Sequence, residues 1–414
     1  MTKMERKRMV DWKFALDITK KLSELGKRFR NVPNIQEVEP FRYYFSKNIG
    51  LKHDELDEYD GKWTRRDILT RYLLVSVVLD QGPDIVGVRE LLKNITNQLY
   101  RQEIRIFHRP IDFFKELGIS IDTILEKHDS IKKMRADDWA RENDSVPSKY
   151  NLFFAQSMRG LISTKQVLDY TVHRWGVPLC LPLLLEKDLQ RSSKESPQPL
   201  VDYVESWGSA EIMAQQLKDN NRYGLGSAIG DKACHLFAKN YVSIFKLVKR
   251  QDNGWSDVSY EVPLDSNAGR VLFRTGFLLE WASLKDYENW NVIQKGKGKG
   301  GVHYIRVTNI RGNKTANIHP NSDIFLDYVN IVSNYLKTGQ RPKLIEIQRI
   351  PNLLIYTLKK DGFSYSVADF DDGLMHIGTK YCFNHDNPKC KECPLRKLCK
   401  GYTENKKLIT EYRT

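Results

Sequence analysis

Apolar positions recur at helical spacing through most of the chain, and only one stretch alternates as a strand would. In residues 1–35, Val10, Phe14, Ile18, Leu22 and Leu25 share one face with Lys13, Lys20 and Lys21 between them. This predicts an amphipathic basic helix ending near Asn31-Val32-Pro33-Asn34. Residues 40–45 form an aromatic and basic element, read as core packing rather than base stacking, and a charged connector follows over 52–63. A helix is predicted over 66–79, stopped by Asp80-Gln81-Gly82-Pro83, and helical patterns resume over 85–99 and in short segments of 151–172. Residues 190–199, rich in Ser and Pro, read as a linker. Beyond it come a short helix over 209–217, a glycine-rich turn feeding a long helix within 221–248, and helices over 323–336 and 371–381. The best strand candidate, residues 303–308, follows the basic run Lys295-Gly296-Lys297-Gly298-Lys299-Gly300-Gly301. The expected class is all-α, two-lobed, with a small β or loop insertion.

Charge sharpens this picture. A net charge of +14 over 414 residues points to a polyanionic partner, and nucleic acid ranks ahead of a membrane surface because no anchor is visible. The longest apolar run, residues 177–185, is interrupted by Pro178 and Pro182 and falls short of the roughly 20 residues a spanning helix needs. A soluble, cytoplasmic, nucleoid-associated monomer is the expectation. Four of the six cysteines, Cys382, Cys390, Cys393 and Cys399, lie close together near the C-terminal end, whereas Cys180 and Cys234 sit in apolar surroundings as core residues. Four thiolates in one loop can wrap a [4Fe-4S] cluster or a tetrahedral zinc. Zinc ribbons commonly carry two CxxC pairs, and the single pair here tilts the reading toward iron and sulfur, with Zn as the alternative.

Residues 262–272 carry one carboxylate, Asp265, at the mouth of a predicted helix, where the dipole favours negative charge. Asp265 either caps that helix or does chemistry.

The stretch Leu374 to Cys382, continuing through Cys390-Lys391-Glu392-Cys393-Pro394 to Cys399, resembles the C-terminal iron-sulfur loop of helix-hairpin-helix DNA glycosylases of the endonuclease III and MutY type. Its first gap is one residue longer than usual in that family. Three further stretches resemble the same family in the same order: 77–82, which carries Gln81; 221–239, similar to the hairpin; and 262–272, similar to the segment with the catalytic aspartate. Ser227 and Ala228 stand where the family usually has proline and glycine, and Ser76 stands where adenine-removing relatives keep a glutamate.

The resemblance implies an enzyme that flips a modified or damaged base out of double-stranded DNA and cleaves its N-glycosidic bond. Asp265 would stabilise the cationic sugar, Lys232 would be a lyase nucleophile or else a phosphate contact, and Gln81 would fill the vacated stack. Gly226 and Gly230 would let backbone N–H groups approach a phosphate, and Arg270, Lys295, Lys297 and Lys299 would add DNA contacts. The expected segments are a basic helical extension (1–65), a glycosylase core (66–284), an insertion with the basic glycine loop (285–350), and C-terminal helices with the cluster loop (351–414). Such extra elements suggest a branch acting on bulky modified bases, similar to the glycosylase-like proteins linked to hypermodified phage DNA, including the alpha-glutamyl/putrescinyl thymine pyrophosphorylase-like group, with a role in phage defence. The rival reading is a non-catalytic DNA-binding or damage-sensing protein on the same scaffold.

Overall fold

A computed structural model describes residues 10–46, 50–80, 85–116, 120, 122, 164–191, 196–250, 252–297, 303–307, 323–338, 344–383 and 387–410. The described residues are mostly helical, and their strands form three two-stranded antiparallel hairpins. By contacts the chain divides into two compact units, one of residues 1–31 with 251–414 and one of residues 32–250. No helix of the described residues is long and apolar enough to cross a membrane.

The first helix, α1 (Trp12–Arg28), starts where the Asp11 side chain accepts from Phe14 N, and it buries Phe14, Ala15, Ile18 and Leu22. It stops at Arg28, short of the turn expected near Asn31.

The 32–250 unit begins with a 3₁₀ turn (Phe41–Tyr44) and two small hairpins, β1 (Phe45–Ser46) with β2 (Gly50–Leu51) and β3 (Tyr59–Asp60) with β4 (Trp63–Thr64). Phe41 and Tyr44 of the aromatic element are buried, as a packing role requires, whereas Tyr43 is 75 % exposed. Thr64 then caps α2 (Arg65–Leu79), accepting from Asp67 N. Nearly every α2 side chain is buried, including Asp67, which binds Arg71 at 2.7 Å and accepts from the N–H groups of Leu200 and Val201. A carboxylate at 0 % exposure is tolerable only with such partners. The unit continues with α3 (Ile85–Arg101), α4 (Ile111–Glu116), α5 (Thr164–Arg191), α6 (Pro199–Glu205), α7 (Ala210–Asp219) and α8 (Asp231–Lys239), of which α3, α5, α6 and α8 pack on α2.

The helix α5 runs through Pro178 and Pro182, the residues that interrupt the apolar run. Each interior proline costs a helix about 3 kcal/mol; here residues 177–185 are buried throughout, and α5 packs on α2, so burial offsets the local penalty. The helix expected to reach Leu247 instead leaves α geometry after Lys239, continues as a π turn (Asn240–Ile244) and ends there.

The other unit continues with α9 (Ser266–Arg274), α10 (Leu284–Asn289) and a hairpin of β5 (Ile293–Lys297) with β6 (His303–Val307), in register Ile293 to Val307. Then follow α11 (Ile324–Thr338), α12 (Leu344–Ile347), α13 (Ile350–Lys360), α14 (Val367–Lys380), α15 (Lys400–Thr403) and α16 (Lys407–Thr410). A capping box between Ser366 and Asp369 starts α14, which lies along α1.

Candidate functional site

Asp265 is the N-cap of α9: its Oδ1 accepts from Asn267 N and Ala268 N, both at 2.9 Å. The side chain is half-buried. The capping role anticipated for this carboxylate is therefore real, and it leaves the charge at the positive end of the helix.

Arg270 and Arg274 stand one turn apart on α9, and both face the cysteine loop. Arg270 donates from Nε to Cys382 O (2.8 Å) and from Nη2 to Gly378 O (3.1 Å) and Asn267 Oδ1 (2.7 Å). It was expected to reach DNA, but it is 3 % exposed, and its guanidinium satisfies carbonyls at the C-terminal end of α14. Burial pulls its pKa below the ordinary value, and the nearby Cys382 opposes the shift. Arg274 donates from Nη1 to Cys382 Sγ at 3.3 Å and to Phe383 O at 2.7 Å. The Cys399 thiol in turn donates to Arg274 O at 3.3 Å. The four-residue spacing of the two arginines is the sequence signal for this shared face.

Cys382, Cys390, Cys393 and Cys399 line one small cavity, closed by Val271, Ile377 and Leu395. Among the described residues no group of three or more His, Cys, Asp or Glu side chains is arranged to hold a single metal ion. As a donor set the thiols nevertheless suit a thiolate-bound cofactor. Burial, with the neighbouring thiols adding to it, pushes Cys393 up to about 12 and Cys399 up to about 11. Four sulfurs around one cavity repel once ionised, and a bound cation would relieve that repulsion. The loop is anchored twice more. Lys400 pairs with Glu280 and lies 4.0 Å from the Phe14 ring centroid, while a Cβ on Gly401 would come within 2.3 Å of Arg274 O.

In the other unit, α7 and α8 pack together and are joined by residues 220–230, which include a 3₁₀ turn (Gly226–Ala228). Gly226 holds φ +54°, a left-handed conformation suited to glycine. Gly230 is the N-cap of α8, and a Cβ there would meet nothing within 4 Å, so open space lies before the helix N-terminus. Asp231 pairs with Lys218 at 2.6 Å and closes the hairpin. Lys232, on the first turn of α8, is half-buried. Lys295 and Lys297 belong to strand β5, and Gln81 and Lys299 fall outside the described residues.

Compared with protein-family models, with curated proteins and with solved structures, the chain matches none.

Proposed function

We propose that this protein is a DNA glycosylase that extrudes a modified or damaged base and cleaves its N-glycosidic bond, the bulky modified bases of phage DNA being the favoured substrates. The observation that carries the reading is the union of Asp265's helix with the cysteine loop. Segments 112 and 108 residues apart in sequence are fastened by Arg270 on Cys382 O and by Arg274 on Cys382 Sγ. A loop built around thiolates and docked on the helix that Asp265 caps is what a rigidly held carboxylate needs.

Base loss passes through a cationic sugar, and a fixed carboxylate stabilises it electrostatically. Asp265 takes that role. Lys232 serves either as an amine nucleophile that permits strand cleavage or as a phosphate contact, in which case Asp265 orients water. The hairpin glycines Gly226 and Gly230 and the first N–H groups of α8 bind a backbone phosphate. Gln81 enters the duplex. Cys382, Cys390, Cys393 and Cys399 hold a [4Fe-4S] cluster, with zinc as the alternative, and the group supplies rigidity to a basic loop that also carries Lys389, Lys391, Arg396 and Lys397.

A second reading, a non-catalytic DNA-binding protein, draws on the cap itself, since a carboxylate accepting two N–H groups at a helix start has a structural reason to be there. Asparagine caps as well as aspartate. Asp265→Asn therefore removes the charge while keeping the cap. Released bases measured by mass spectrometry over a panel of modified DNAs should vanish in this variant while DNA binding persists. A wild-type protein that binds the panel and releases nothing supports the second reading.

A further inference from the structure

The C-terminal end of α1 carries an aromatic side chain that the fold leaves open. Phe29, the C-cap of α1, is 43 % exposed, and among the described residues of its unit only Leu326 is another large apolar side chain so exposed. Its ring lies parallel to the imidazole of His376 on α14, with centroids 4.1 Å apart. Tyr381 in turn packs against His376 at 5.8 Å, the two rings steeply inclined. Burial and the charge of Lys380 hold His376 below its ordinary pKa, so the imidazole is neutral at pH 7. The three rings form a ladder whose place is fixed by the packing of α14 along α1.

The charge around this ladder is one-sided. Arg28 lies over the Phe29 ring at 5.2 Å from its centroid, and Lys380 stands one helical turn beyond His376. Both cations are exposed, and neither pairs with a carboxylate among the described residues. Of the carboxylates on the neighbouring turns, Asp369, Asp371 and Asp372 are buried, Asp369 against Arg30, and Glu24 pairs with Lys21. What reaches solvent beside Phe29 is therefore positive.

One flat ring flanked by cations is too small for a lipid-inserting face or for the core of a protein interface, both of which need several adjacent apolar side chains. It matches a nucleobase, which stacks, joined to a phosphate, which pairs with the cations. His376 takes one face of Phe29 and Arg28 covers the other. A cation over an exposed ring is a weaker contact than a stacked base, so a base displaces the guanidinium and leaves it placed for the phosphate. In a duplex the base faces are already stacked on one another, whereas a single strand offers them free. We propose that Phe29, backed by His376, is a stacking site for an unpaired base of a single-stranded nucleic acid, with Arg28 and Lys380 receiving its backbone phosphates. The inference does not rest on the glycosylase reading, which concerns a duplex and Asp265.

Fluorescence anisotropy of the full chain with a labelled oligothymidine tests it, an abasic deoxyribose-phosphate strand of equal length serving as the comparison. The oligothymidine should bind about tenfold more tightly than the abasic strand. Phe29→Leu should lose that preference and bind the two strands alike, whereas Phe29→Tyr, which keeps a ring, should bind as the wild type does. Arg28→Ala should weaken both strands and flatten the slope of log affinity against log salt by about 0.7, the loss of one phosphate contact. Equal affinity of the wild type for the two strands, or a preference that survives in Phe29→Leu, overturns the inference. Binding to phosphatidylserine vesicles that Phe29→Leu abolishes, with oligothymidine binding unchanged, overturns it in favour of a membrane contact. Should Phe29→Leu fail to fold, the exposed Arg28 decides: an unchanged salt slope in Arg28→Ala overturns it.

Discussion

Gly26 on α1 and Gly373 on α14 meet backbone to backbone. A Cβ on Gly26 would stand 2.6 Å from Gly373 N and 1.7 Å from Asp369 O, and a Cβ on Gly373 would stand 2.0 Å from Leu22 O. Nothing at those contacts can swing away, because the opposing atoms are main chain. Gly373→Ala should therefore force α1 off α14 and destabilise the protein by roughly 3 kcal/mol or more. Denaturant unfolding measures this directly. Gly230→Ala, with open space around the added methyl group, is the matched control and should cost only the capping difference, about 1 kcal/mol or less.

At the head of α9, two substitutions of one residue should separate. Asp265→Ala removes the acceptor for Asn267 N and Ala268 N and should cost about 1 kcal/mol, whereas Asp265→Asn should cost far less because its side-chain oxygen still caps. A melting comparison checks the pair. Equal losses would mean that the cap contributes nothing measurable.

Around the thiol cavity, Cys390→Ser should yield protein without iron and acid-labile sulfide, and so without the brown colour expected of the wild type purified anaerobically. Gly401→Ala leaves every thiol in place but sets a methyl group against Arg274 O, so it should lower iron content without abolishing it. Metal analysis of the three proteins decides, and zinc in the wild type would select the alternative cofactor.

Asp60 makes stability depend on pH. Its carboxyl is held below the ordinary value of 3.8, chiefly by the hydrogen bond from His108, so the unfolded chain takes up its proton at a higher pH than the folded one. The stabilisation is then fully present above that ordinary value and is lost as pH falls through the depressed one. Asp60→Asn should be less stable than the wild type at pH 7, and the gap should close in acid. With the side chain 37 % exposed, solvent screening keeps the gap to about 1 kcal/mol or less. Urea midpoints at both pH values read it.

Periodicity sufficed where a helix buries one stripe. The face of Phe14, Ile18 and Leu22 on α1 was legible because local spacing and burial agree there. It does not reach α5, whose interior prolines are held by packing on α2. Arg270 was expected at DNA from the resemblance, and the carbonyls of Gly378 and Cys382 that draw it inward belong to a segment over 100 residues away. The cysteines announced themselves through spacing alone. Asp60 and His108 gave no such notice, for their meeting depends on how the β3 hairpin lies against the loop after α3.

The pairing of α1 with α14 also has a consequence for biosynthesis. A ribosome delivers α1 before the 32–250 unit and α14 after it. That unit has all its partners at hand and can close as it is made. The apolar stripe of α1 waits without its α14 partner until that unit has been made.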